Sequence, residues 1–128
     1  MLKIRPQKEK GFTLVELLTV VAVIGILAAI AFAQFQGSRA KGLMATVRSD
    51  TKNASTSVQA WTADNPESFP PAVQYTGPAV MTEYPLARVS PQVTIHITPN
   101  GEVTGSHDQL HGIYTIRADG IVADSLSY

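Results

Sequence analysis

Between Glu16 and Arg39 the chain carries no charged side chain. The segment FTLVELLTVVAVIGILAAIAFAQF, Phe12–Phe35, is 24 residues long. As a helix it measures about 36 Å at 1.5 Å per residue, more than the roughly 30 Å of a bilayer's hydrocarbon core. It is apolar on every side, which suits lipid or a crowd of similar helices. One carboxylate, Glu16, stands near its start, where an ionised group is costly. Any fold for this chain has to give that helix an apolar surrounding and that carboxylate a reason.

The charges around the run are uneven. Residues 1–11 carry Lys3, Arg5, Lys8 and Lys10 against Glu9, a net +3, and the rest of the 128-residue chain is −3. A basic head before an apolar span stays on the cytoplasmic side, so the chain beyond the span is expected to be exported. Net charge is zero, which does not advertise nucleic acid as the main partner. There is no Cys, which excludes a disulfide framework, a thiol nucleophile and a thiolate metal site.

Beyond the span the apolar pattern changes. Ala40, Met44, Val47, Thr51, Ala54, Val58 and Trp61 recur at alternating steps of four and three, one stripe on a helix. No Pro interrupts residues 7–65, so one helix is expected from Phe12 to about Ala63, with Gly25, Gly37 and Gly42 as soft points. Asp64-Asn65-Pro66 ends it. Seven of the eight prolines then fall between Pro66 and Pro99, which reads as an extended connector with a short strand near Ala79–Tyr84. After it, Val93, Ile95 and Ile97 alternate with Thr94, His96 and Thr98 before Asn100-Gly101, and a similar pattern surrounds Asp119-Gly120. Both dipeptides favour tight hairpins. The fold class is therefore α+β: a long N-terminal helix whose amphipathic second half covers a small C-terminal antiparallel sheet. The expected segments are 1–11, 12–35, 36–63, 64–92 and 93–128.

Two readings of the N-terminus are open. In one, the run is an ordinary secretory signal, with a small-x-small site at Ala31-Phe32-Ala33 and cleavage before Gln34. In the other, cleavage falls between Gly11 and Phe12 and the helix is retained. The new amine of Phe12 then lies four residues from Glu16, about 6 Å along a helix axis. A Glu16 that meets the amine of a neighbouring chain acts as a register mark, because an unpaired buried charge penalises every other alignment.

The stretch KGFTLVELLTVVAVIGILAAIA, Lys10–Ala31, resembles the class III signal of type IV pilins and type II secretion pseudopilins. The resemblance is close over about residues 10–36 and extends to the rest only in layout. It implies a leader of residues 1–11 removed by a prepilin peptidase after Gly11, methylation of the Phe12 amine, and pairing of Glu16 with a neighbour's Phe12 during assembly. It also implies a homo-oligomeric helical filament, an inner-membrane precursor that becomes an extracellular pilus, and a platform protein and assembly ATPases as partners, with a secretin in a Gram-negative cell. Three functions stand as hypotheses: a main pilus subunit, a minor pilin or pseudopilin, and a membrane-tethered binding module. The chain departs from the family in having Ala33 where a Pro is common, and in lacking the Cys pair that often staples the C-terminal loop.

Other groupings read as ordinary structure. His107-Asp108-x-x-His111 has a metal-ligand spacing only on a helix, and it lies beside glycines, where a loop with two solvated histidines is expected. Asp108, Asp119 and Asp124 suggest calcium weakly, since Asp119 is what an Asp-Gly turn needs. His96 is expected to face solvent and Trp61 the core. Arg39, Lys41, Arg48 and Lys52 are expected to meet acidic groups of neighbouring subunits, such as Asp50, in preference to DNA. No catalytic grouping and no cofactor site stands out; the chain reads as no enzyme.

Overall fold

One helix, α1, covers Leu14–Asp64. The computed structural model describes residues 11–84 and 87–128, so the basic head and most of the expected leader lie outside the described residues. Gly25 and Gly42 lie inside α1, where an added Cβ would meet nothing within 4 Å, and the helix is unbroken through the Gly25–Ala33 stretch. It stops where the sequence says it should. The Asn65 amide and its side-chain Nδ2 both donate to the carbonyl of Trp61, at 3.0 and 2.9 Å, and Pro66 cannot continue the ladder.

The chain divides into two units, Met1–Gly37 and Ser38–Tyr128. In the first, the side chains from Phe12 to Gln36 are exposed on every side of the helix. Burying one Leu, Ile, Val or Phe is worth about 1.5–3 kcal/mol, and none of that is gained within the chain here. The segment is long and apolar enough to cross a membrane.

The second unit has its own core. A five-stranded antiparallel sheet has the order β1-β4-β5-β6-β7, from β1 (Val73–Thr76), β4 (Val93–Ile97), β5 (Val103–His107), β6 (Tyr114–Ile116) and β7 (Val122–Asp124). A separate pair joins β2 (Ala79–Val80) to β3 (Arg88–Val89). The two hairpins form as their turn dipeptides indicate: Gly101 and Gly120 sit at φ +77° and +82°, conformations that β-carbons resist. Alternation sorts the faces. Val93, Ile95 and Ile97 are fully buried while His96 is exposed, as expected.

The helix stripe covers that face. Val47, Thr51, Ala54 and Val58 are buried, and Leu43, Met44 and Trp61 pack partly against the same cluster. Gly105 of β5 is the point of closest approach. A Cβ there would collide with Thr51 Oγ1 and press on Val47 and Ile95, at 3.0 and 3.2 Å. Met81 and Tyr84 close the core near the end of α1, Tyr84 meeting Trp61 edge-on with ring centroids 6.2 Å apart. Burial, with a smaller contribution from the Glu83 charge, raises the pKa of Tyr84, whose hydroxyl donates to the Pro71 carbonyl at 3.0 Å.

Two expectations need correction. The sheet begins at Val73, inside the Pro-rich stretch: Val73–Thr76 pairs with β4 from Val73↔Ile97 to Thr76↔Thr94. As an edge strand it tolerates flanking prolines that a central strand would not. The expected short strand near Ala79–Tyr84 is the two-residue β2. His107 is not a solvated loop residue either; it is buried as the last residue of β5.

The C-terminal segment is held without a disulfide. Arg48 of α1 grips Asp124 of β7, with Nε donating at 2.8 Å and Nη2 2.7 Å from the same oxygen. Ser127 exchanges two backbone bonds with His111, and the Ser125 hydroxyl accepts from the Ile113 amide and donates to the Ile113 carbonyl, both at 3.0 Å.

Candidate functional site

The first four amides of a helix have no partner within it. At the start of α1 this need is met by Thr13 and Glu16. The Thr13 hydroxyl accepts from the Glu16 amide at 3.2 Å, and Glu16 Oε2 accepts from both the Thr13 amide and the Thr13 hydroxyl at 2.9 Å. This is a capping box, with Thr13 as the cap and Glu16 as the third helical residue. The carboxylate also stands at the positive end of the helix dipole. Glu16 therefore has a role within its own chain that its place in an apolar run does not suggest. The four-residue pattern does: Thr13-Leu14-Val15-Glu16 is the Thr-x-x-Glu spacing that marks helix starts.

The cap fixes what lies outside the helix. Gly11 and Phe12 are exposed and non-helical, with Phe12 at 89% exposure. The Gly11–Phe12 peptide is thus an accessible, irregular segment directly ahead of the capped helix. Glu16 Oε1 has no hydrogen-bond partner among the described residues. Gly11, Phe12 and Glu16 therefore lie within one short stretch, on the apolar side of residues that the structure leaves undescribed.

The remaining candidates separate. Asp50 is 7% exposed and accepts from the Ser90 amide at 2.7 Å, so it is unavailable to a neighbouring subunit. Arg48 is engaged with Asp124. The expectation that these two serve contacts between subunits is overturned by their internal partners. Arg39 Nη2 donates to Gln109 Oε1 at 3.0 Å, and Lys41 and Lys52 are exposed. His107 Nδ1 accepts from the Gln109 amide at 3.0 Å, whereas His111 is exposed beyond the strand, so the helical spacing that would join them does not exist. Asp119 caps its own turn through the Ile121 amide at 3.0 Å, and Asp124 is committed to Arg48 and the Leu126 amide. Among the described residues no three His, Asp or Glu side chains converge as a metal site would require.

A family model described as the prokaryotic N-terminal methylation motif matches residues 6–32. Over this motif the chain is similar to type IV pilins, and beyond it to fimbrial proteins. It is 42% identical over 69 residues to the type IV major fimbrial protein FimA of Dichelobacter nodosus, a match covering 54% of this chain and 44% of FimA. It is 46% identical over 52 residues to the fimbrial protein EcpB of Eikenella corrodens, covering 41% and 33%. A fimbrial protein of Pseudomonas aeruginosa is 35% identical over 100 residues, 75% of this chain and 64% of that one. The matched part is thus less than half the length of FimA and of EcpB. No solved structure matches the chain significantly. The matched motif contains Gly11, Phe12, Thr13 and Glu16, and the long helix with its small antiparallel sheet is a pilin-like α+β fold.

Proposed function

We propose that this chain is a structural subunit, the major pilin, of a type IV pilus. The observation that carries the reading is the capped, wholly exposed apolar helix of the first unit: Phe12–Gln36 has no burial of its own and needs lipid before assembly and like helices after it. The names of the fimbrial relatives support a major subunit over a minor one.

On this reading a prepilin peptidase cuts after Gly11 and the Phe12 amine is methylated. The free Oε1 of Glu16 then meets the Phe12 amine of a neighbouring copy while Oε2 keeps the helix capped. The precursor sits in the inner membrane with its basic head in the cytoplasm, and the finished filament is extracellular. A platform protein and assembly ATPases drive the transfer, with a secretin where an outer membrane must be crossed. The chain acts by polymerising, not by catalysis.

The test is the intact mass and first residue of the chain in filaments sheared from cells that express it. An N-methylated Phe12 in an abundant fibre component is the expected result. The same terminus found in membranes alone would replace the major-pilin reading by a minor pilin or pseudopilin. A chain beginning at Gln34 would make the segment a secretion signal and remove the role given to Glu16.

A further inference from the structure

The last turn of α1 carries no basic side chain. Basic side chains commonly offset the partial negative charge of a helix's last carbonyls, yet the last turn of α1 holds none and its final residue is Asp64. Glu67 comes next, in an exposed turn. Glu83 adjoins Tyr84, which packs on Trp61 in the last turn of α1. The ion pairs among the described residues are Arg48–Asp124 and Arg117–Glu102, so none of these three carboxylates is neutralised there. Beside them Phe69 is 81% exposed, a large aromatic with nothing over it.

The opposite end of the same stretch of helix is basic. Arg39 and Lys41 are exposed; Arg39 holds only Gln109, and Lys41 has no ion-pair or hydrogen-bond partner among the described residues. Lys41 and Asp64 are 23 residues apart, about 35 Å along a helix. Within one chain that distance exceeds the Debye length of about 8 Å at physiological salt, so the two ends do not neutralise each other. Between two copies displaced along the helix direction they are complementary. Arg48 and Asp50, the other charged pair of this stretch, are already satisfied inside the fold.

We propose that in the filament the acidic end of α1 in one copy, Asp64 and Glu67 with Phe69 as the apolar contact, docks on the Arg39–Lys41 segment of a second copy. The contact uses two different surfaces of the same chain, so it can repeat along an open-ended fibre held by the apolar helices, where a self-complementary patch would stop at a dimer. It rests on the filament reading above and adds to it the charged contact that orients successive globular units.

Lys41→Glu and Glu67→Lys test it, because neither side chain has an ion-pair or hydrogen-bond partner among the described residues. Each alone places like charges together and is expected to lower the yield of sheared filaments at least about tenfold. Combined in one chain they rebuild the pair with its sign inverted and restore most of the yield. Chain level in membranes and the fluorescence of Trp61 report folding separately. Single variants with unchanged yield, or a double variant no better than the worse single one, overturn the docking contact and leave the filament reading standing. Absence of the wild-type chain from filaments overturns the filament reading first, and the contact with it.

Discussion

The Glu16 carboxylate divides its two oxygens between two tasks. Oε2 takes both hydrogens that Thr13 offers and so starts the helix; Oε1 has no partner among the described residues, and on the proposed reading it takes a cation from another chain. Glu16→Gln separates the tasks. Gln is accepted at this position of a capping box, so the bond back to Thr13 and the helix start are retained. The charge is lost, and with it the penalty that a misaligned neighbour would incur. The expected outcome is a chain that is made, folded and cleaved normally but is depleted from the sheared filament fraction relative to membranes. Normal filaments from this variant would show that capping is all that Glu16 does. Thr13 is a cap whose removal typically costs about 1 kcal/mol, which gives this residue too a physical reason to be polar at the mouth of an apolar run.

At the scale of elements, the docking of α1 on the sheet depends on one missing side chain. Gly105 lies under Thr51 and Val47, where β4 contributes Ile95. Gly105→Ala forces a methyl group into a filled space, with an expected loss of about 1–3 kcal/mol and more if α1 is pushed off β5. Urea unfolding of the detergent-solubilised chain, followed through the single Trp61, measures it; an unchanged midpoint would mean that helix and sheet can part at no cost. This contact was only half legible in the sequence. The stripe from Ala40 to Trp61 and the alternation of Val93, Ile95 and Ile97 announced which faces meet, because burial on a helix and on a strand has its own period. Nothing local marks Gly105, since the closest group a side chain there would meet belongs to Thr51, on the distant helix. Strand β1 is hard to see in the sequence for a similar reason: its four residues alternate, but the run between Pro71 and Pro78 is too short to stand out, and the pairing with β4 makes it a strand. Asp50 and Arg48 read as surface charges because the sequence does not disclose the Ser90 amide or Asp124, their partners 40 and 76 residues on. Gly11, Phe12 and Glu16, the expected processing and assembly residues, stand together in the sequence, and the four-residue pattern Thr13-Leu14-Val15-Glu16 carries the capping geometry at the start of α1.

At the scale of the molecule, the two units stand on different energetic grounds. Every member of the buried apolar cluster lies between Val47 and Ile116, within the second unit, and the side chains packed against it run from Leu43 to Leu126. None of that core draws on the first unit, whose helix has no buried side chain of its own between Phe12 and Gln36. Folding and assembly should therefore separate when the chain is cut. A fragment of residues 38–128 retains the core, the Arg48–Asp124 pair and the bonds that hold the C-terminal segment. It is expected to be soluble without detergent, to sediment as a monomer, and to unfold cooperatively in urea with Trp61 as reporter. It should form no fibres, because the docking contact between charged ends is exposed and screened by salt, and such contacts set orientation more than affinity. On the proposed filament reading the cohesion of a fibre comes from the apolar helices, each of which brings more than twenty exposed residues. Fibres grown from the fragment alone would reverse that order and make the globular surface the driver of polymerisation. A fragment that fails to fold would show that the second unit needs the first, against what the position of its core implies.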